Sequence, residues 1–182
     1  VVYPACEIVE PGKIKHINGN RFSLGEPDGR ETDRVKFISE ILNKAGFRAP
    51  IQKNIRDEIW LKLIGNLSFN PISALTGATL EQICNDIGTE VIVREMMTEA
   101  KLIAEKLGAK INMSIEKRID GARKVGAHKT SMLQDIEAGK PIEIDSIIVA
   151  VKELGELTSS PTPYINIILN LTLQKAKLIG CL

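Results

Sequence analysis

The stretch Trp60-Leu61-Lys62-Leu63-Ile64-Gly65-Asn66-Leu67-Ser68-Phe69-Asn70-Pro71 is apolar on nearly every side when wound as an α-helix. A helix on a protein surface shows one apolar stripe, whereas a helix apolar all round lies in a core. Three polar residues break the pattern, and Lys62, Asn66 and Asn70 recur every four positions. At about 100° per residue, each step of four drifts by about 40°, so the three share a narrow stripe. Asparagine is a poor helix-interior residue, and a buried lysine is costly unless it neutralises or finds a partner. A polar stripe on a buried helix therefore needs something to face. Two readings stand side by side here: the stripe addresses a ligand, or Lys62 snorkels to solvent while the two amides cap neighbouring loops.

Outward from this helix the 3.6-residue period continues to the end of the chain. Pro71 removes a backbone donor and is expected to bend the first helix. Thr79-Leu80-Glu81-Gln82 reads as a capping box opening a short helix. Further helices are expected over 89–107, stopped by Gly108, and over 114–125. Ser131-Met132-Leu133-Gln134 reads as a second capping box, with Gly139 ending its helix. The last two helices are expected over 145–157, with Asp145 as N-cap, and over 161–178. Before Arg56 the pattern is different. Ile14, His16 and Arg21, Ser23 flank Asn18-Gly19, a dipeptide suited to a hairpin turn. Thr32 or Asp33 can cap a helix carrying Val35, Ile38, Ile41, Leu42 and Ala45, which Gly46 stops, and residues 47–52 read as a strand. The fold class is mainly α: an all-helical domain over 54–182 behind a small α/β remnant over 1–53.

Composition narrows the function classes. The chain has 182 residues, 43% hydrophobic and 26% charged, with net charge +1, enough for one domain or one domain and a fragment. Charges of both signs are interleaved and aromatics are few, so neither nucleic acid nor an anionic membrane is an expected partner. No apolar run reaches the roughly 18 residues that a membrane-spanning helix needs. Cys6, Cys84 and Cys181 form no C-x-x-C pair and His16 and His128 are isolated, so no metal site is expected. There is no G-x-G-x-x-G, no G-x-x-x-x-G-K-[ST] and no G-x-S-x-G. Val1-Val2-Tyr3-Pro4 carries neither an initiator Met nor a signal-peptide pattern, which suggests an excised piece, and the scattered cysteines read as free thiols of a cytoplasmic protein.

A second polar constellation lies at Ser131-Met132-Leu133-Gln134-Asp135 and Ile142-Glu143-Ile144-Asp145. Ser131 at a helix start offers a hydroxyl and backbone N–H groups suited to a carboxylate, although a capping box alone accounts for it. Glu143 between two isoleucines is expected in an apolar setting near a buried cation, or else as an ordinary first-turn acid. His128 reads as a surface loop residue. Glu95, Glu99 and Glu105 with Lys101 and Lys106 read as a solvated helix face with i,i+4 pairs. Met96, Met97 and Met113 read as core filler, and Pro161-Thr162-Pro163 as a helix start.

Taken together, K-x-x-x-N-x-x-x-N at Lys62/Asn66/Asn70, the Ser131-to-Asp135 phrase and Ile142-Glu143-Ile144-Asp145 resemble the ketopantoate reductases, the 2-dehydropantoate 2-reductases of pantothenate biosynthesis. Asn70-Pro71-Ile72-Ser73-Ala74-Leu75-Thr76-Gly77 and Glu7-Ile8-Val9-Glu10-Pro11-Gly12 are similar to that family too, and the match covers essentially the whole chain. The resemblance implies NADPH-dependent reduction of a 2-keto acid, with the coenzyme held mainly by a Rossmann domain whose glycine-rich part would precede Val1. It implies an all-helical C-terminal domain of the 6-phosphogluconate dehydrogenase C-terminal-like kind. It makes Lys62 the catalytic lysine, Glu143 the catalytically important substrate-binding glutamate, and Asn66, Asn70 and Ser131 substrate-site residues. No metal is implied, and the chain alone is expected to be inactive.

Residue chemistry fits those roles. Hydride addition builds negative charge on a ketone oxygen, so a nearby proton-donating cation lowers the barrier, as Lys62 would. Glu143 would orient the lysine and accept from a substrate hydroxyl, the asparagines would hold lysine or substrate, and Ser131 would meet the substrate carboxylate. Two alternatives accompany this expectation: a reductase of another 2-keto acid, and a helical interaction module whose polar stripe is structural. A homodimer through the helical domain is also expected, with Val149, Leu154 or residues 165–171 supplying the apolar contact.

Overall fold

Pro11-Gly12 reverses the chain between β1 (Ala5–Glu10) and β2 (Lys13–Asn18), with Gly12 at a φ of 79° that glycine adopts without a steric penalty. The two strands pair antiparallel. The computed structural model describes residues 1–182, Glu7 by its backbone alone, as two units, Val1–Ile59 and Trp60–Leu182.

In the first unit the hairpin turn therefore lies at Pro11-Gly12, not at the expected Asn18-Gly19. The reason is that residues 21–24 pair elsewhere. Tyr3 N–H donates to Arg21 O at 3.0 Å and Ser23 N–H to Val1 O at 2.8 Å, while Phe22 N–H donates to Arg48 O at 2.8 Å and Leu24 N–H to Pro50 O at 3.0 Å. Bridges Arg21↔Arg48 and Leu24↔Ile51 are parallel, so the expected strand near 47–52 pairs across a helical crossover. That crossover is α1 (Asp33–Lys44). Thr32 caps it by accepting from Val35 N–H, and Val35 is buried, but Ile38 and Ile41 stay exposed. Asn18 and Gly19 instead lead the chain out of β2, with Asn18 Oδ1 accepting from Gly19 N–H at 2.7 Å. Glu58 ties this unit together: it accepts from Tyr3 Oη at 3.1 Å and Ser23 Oγ at 3.0 Å, and pairs with Arg21 at 3.0 Å.

The second unit is helical. It contains α2 (Ile55–Thr76, begun in the first unit), α3 (Leu80–Asn85), α4 (Ile87–Lys106), α5 (Ile115–Val125), α6 (Ser131–Glu137), α7 (Ala150–Leu157) and α8 (Pro163–Ile179). One core joins Leu67 and Phe69 of α2 to Met96, Met97 and Ile103 of α4, and to Met132, Ile144, Ile148 and Ile165. Thr79 and Gln82 make the expected capping box. Helix α4 starts before the expected residue 89, because Asp86 is its cap and accepts from Thr89 N–H at 2.8 Å. A π-helical turn, Asp145–Val149, precedes α7, with Ile144 in the cap position, so Asp145 is not the N-cap that was expected. Met96 and Met97 fill the core as expected, whereas Met113 is exposed.

Glu99 departs furthest from expectation. It is buried rather than solvated, and its carboxylate crosses to α8, accepting from Tyr164 N–H at 2.9 Å and Ile165 N–H at 3.0 Å. Thr162, the cap residue of α8, makes no side-chain capping bond, so Glu99 supplies from another helix what the local sequence does not. Burial pushes the Glu99 carboxyl above the usual carboxylate range, while the two backbone N–H groups pull the other way.

Replacing Glu99 by Ala strands two N–H groups at a buried helix end, and thermal melting should show a loss of about 1–3 kcal/mol. Its folded pKa is raised, so the stability linked to its protonation is present below the unfolded carboxylate pKa and is lost as pH rises through the folded value. The Tm of the parent should therefore decline across that window relative to Glu99→Gln, and a constant difference would contradict the assignment.

Candidate functional site

Helix α2 carries the polar stripe on a buried element. Lys62 and Asn66 are half-buried, and Asn70 is 6% exposed, between the core residues Phe69 and Ile72. The apolar remainder of the helix explains why: Ile64, Leu67, Phe69 and Ile72 all enter the core, and this anchors the helix and fixes the direction of the stripe. Among the described residues no hydrogen bond engages the side-chain amide of Asn66 or Asn70. The alternative in which those amides cap loops therefore finds no partner for them, and their donors and acceptors remain for a ligand.

Ser131 stands at the first position of α6, one residue inside the cap. Thr130 is the N-cap and accepts from Leu133 N–H at 3.4 Å, while Gln134 turns back to donate to Lys129 O at 2.9 Å. The expected capping box of Ser131 with Gln134 is therefore corrected. Thr130 is buried and takes the structural task, leaving the Ser131 hydroxyl exposed.

Glu143 is likewise exposed, not set in the apolar surroundings that its isoleucine neighbours suggested. Those neighbours are the cause. Ile142 and Ile144 are buried, and Ile144 N–H donates to Ile142 O at 2.9 Å, closing a three-residue turn with Glu143 at its apex. With both flanks turned inward, the carboxylate points out. The π-helical turn Asp145–Val149 follows at once, a distortion of a kind frequent at functional sites. Periodicity gave no sign of it.

The structure thus gathers Lys62, Asn66 and Asn70 on one face of one helix and presents Ser131 and Glu143 from two other segments whose neighbours Met132, Ile142 and Ile144 enter the same core. Sequence reasoning passed over Arg118 of α5, whose guanidinium lies against α2 at Gly65. The available signal was Gly65 itself, a poor helix former inside an otherwise strong helical run. Among the described residues no group of three or more His, Cys, Asp or Glu could hold a metal ion, and no helix is long and apolar enough to cross a membrane.

Comparison with known proteins supplies the context. Residues 54–176 match the family described as "Ketopantoate reductase PanE/ApbA C terminal". A 2-dehydropantoate 2-reductase of Mesorhizobium japonicum is 54% identical over 181 residues, which is 100% of this chain and 56% of that protein. A crystal structure assigned to the ketopantoate reductases, from Ralstonia solanacearum MolK2, superposes with a TM-score of 0.94 at 39% identity, covering 100% of this chain and 55% of that one. The 2-dehydropantoate 2-reductase of Methylococcus capsulatus superposes with a TM-score of 0.89 at 29% identity, over 98% of this chain and 62% of that one. The chain spans about half the length of the curated relatives it matches. With the family match covering more than half of its residues, and with its helical unit superposing on solved members, the chain belongs to the ketopantoate reductase family, of which it carries the C-terminal part.

Proposed function

We propose that this chain is the substrate-binding part of an oxidoreductase that reduces a 2-keto acid, 2-dehydropantoate to pantoate, in cytoplasmic pantothenate biosynthesis. In this reading residues 1–53 complete the coenzyme domain, and residues 54–182 bind the substrate. The observation that carries it is the Lys62/Asn66/Asn70 stripe on a buried helix, with both amides unengaged among the described residues.

NADPH is the proposed reductant, and the residues present do not fit its phosphates. The chain has no G-x-G-x-x-G, and Gly19, Gly25 and Gly29 of the first unit lie against backbone carbonyls. A Cβ on Gly25 would lie 2.8 Å from Gln52 O, and one on Gly29 would lie 2.6 Å from Lys53 O, so neither opens a cradle of amides. Coenzyme binding is accordingly proposed for the rest of the full-length protein, where the bound coenzyme would supply the hydride.

The chain's own part is polar. Lys62 donates a proton from Nζ to the keto oxygen as that oxygen gains charge, so the ketone becomes a hydroxyl. Asn66 and Asn70 hold the substrate by amide donors and acceptors, Glu143 accepts from its hydroxyl, and Ser131 donates its neutral hydroxyl to the substrate carboxylate. Because α2 is anchored by its apolar faces, the stripe is preorganised, which spares the reaction the cost of ordering these groups.

A second copy of the chain is the proposed macromolecular partner; nucleic acid and membrane are not. Of the faces expected to supply its contact, Val149 and Leu154 pack on the core and Ile165, Ile168 and Leu169 are buried, so only Ile167 and Leu171 remain exposed. Leu171 borders an apolar groove of about 440 Å³ that Ile72, Ile92, Leu178 and Ile179 also line.

In the full-length enzyme, Lys62→Ala should lower kcat for the preferred 2-keto acid by about 100-fold or more, measured by NADPH oxidation over a panel of 2-keto acids. A kcat within a few-fold of the parent would remove the proton-donor role. Glu143→Ala should raise KM for the keto acid by about 10-fold or more, the loss expected for a hydrogen bond to a charged group, and an unchanged KM would refute substrate contact. Leu171→Asp should shift sedimentation from dimer to monomer; sedimentation identical to the parent would place the contact elsewhere or show that there is none.

A further inference from the structure

Gly65 lies inside α2, three residues after Lys62 and one before Asn66, and it is buried. A glycine in a helix interior costs about 1 kcal/mol relative to alanine, so its presence here needs a reason. A Cβ at this position would collide with Nη2, Cζ and Nε of Arg118. The flat guanidinium of an α5 residue is thus laid against bare helix backbone. Arg118 also borders a small cavity with Leu61, Ile64, Met97, Lys101, Ser114 and Ile115, and its Nε is shielded from solvent. The missing methyl group at Gly65 leaves the room in which this charge sits.

That place adjoins the polar stripe. On the helical wheel Gly65 is about 60° from Lys62, and residues three apart are surface neighbours, about 5–6 Å between Cβ positions. The guanidinium thus docks on a helix neighbour of Lys62, and the two cations have different chemistry. The lysine ammonium can give up a proton; the guanidinium, which stays charged, cannot. An arginine beside a proton-donating lysine is suited instead to a permanent anion, which its planar fork can meet with two parallel hydrogen bonds.

We propose that Arg118 is a further substrate-binding residue, whose guanidinium receives the carboxylate of the 2-keto acid while Lys62 addresses the keto oxygen. The inference rests on the 2-keto acid reading above and deepens it. In a 2-keto acid the carboxylate is bonded directly to the keto carbon, so the groups that address the two functions must be close, and Gly65, on which the guanidinium lies, is three residues from Lys62 on one helix. Asn66, Asn70 and Ser131 are neutral, so among these residues Arg118 alone offers the carboxylate a permanent counter-charge. Gly65 becomes part of the same device, because only a residue without a side chain lets the fork lie this close to α2.

The test compares a 2-keto acid with its neutral 2-keto amide in the full-length enzyme carrying Arg118→Gln or Arg118→Lys, with thermal melting to confirm the fold. Arg118→Gln should raise KM for the acid about 10- to 100-fold, with little change in KM for NADPH or in turnover of the amide, so that the preference for acid over amide collapses. Arg118→Lys keeps the charge without the fork and should move the same preference in the same direction by a smaller factor, which decides the matter if the Gln variant does not fold. Gly65→Ala should reproduce the effect by displacing the guanidinium. An unchanged acid-to-amide preference in an otherwise active enzyme, or an equal loss on both substrates, would overturn the role of Arg118 and leave the reductase reading standing. A full-length parent enzyme that reduces no 2-keto acid would overturn both.

Discussion

The carboxylate of Glu99 accepts from the N–H groups of Tyr164 and Ile165, and so satisfies the first turn of α8 from a different helix. Helix ends carry the backbone groups that winding leaves unpaired, and a helical unit that buries those ends must pair them by other means. This unit repeatedly does so across helices. Lys175 donates to Ala74 O and Leu75 O at the end of α2, Lys106 to Thr158 O and Ser159 O just after α7, and Arg123 to Cys84 O in the last turn of α3. The signs follow the helix macrodipole, with the anion at an N-terminus and the cations at C-termini. Each bond fixes both the direction and the axial position of one helix against another, which packing alone leaves looser. Helix α2 is held in this way at its far end by Lys175, and α2 carries the polar stripe. The geometry of the candidate site therefore depends on a capping network made of residues remote from it.

That network also marks where reading the chain reaches its limit. The element pattern follows from local rules: Thr32 and Thr79 cap the helices expected of them, and Gly46 and Gly108 stop theirs with positive φ. Glu99 could not be read in the same way. An acid spaced four residues from other charges looks identical whether water or the end of another helix lies opposite. Asn18-Gly19 failed for a related reason. The dipeptide does hold a glycine at positive φ, yet which strands it joins is settled by the pairing of residues 21–24 with the 1–3 and 48–52 segments, and that is a long-range matter.

The site divides along the same line. Lys62, Asn66 and Asn70 were legible because they lie on one helix, where spacing alone places them on one face. Ser131 and Glu143 lie in separate segments, and no periodicity connects them with α2; only the family resemblance did. Even their local settings were misjudged by one structural step. Thr130 took the cap that Ser131 was expected to make, and the isoleucines around Glu143 turned inward and so directed it out. In both places the misread feature leaves the polar group more accessible, because a neighbour carries out the structural task.

Gly65 shows how a local anomaly can carry long-range information. In isolation it weakens the helix, and propensity would favour alanine. Beside Arg118 it is the condition for a guanidinium to rest on backbone next to Lys62. The rigid helix then brings the stripe and the arginine's docking place in one piece, whereas Ser131 and Glu143 sit at a helix start and a turn apex, where small adjustments of backbone are cheap. A site built in this way keeps Lys62 and the arginine's docking place at a fixed separation and leaves adaptation to the neutral and acidic groups. On the 2-keto acid reading proposed above, that division would suit a substrate whose carboxylate and ketone are bonded to each other but whose remaining carbons vary.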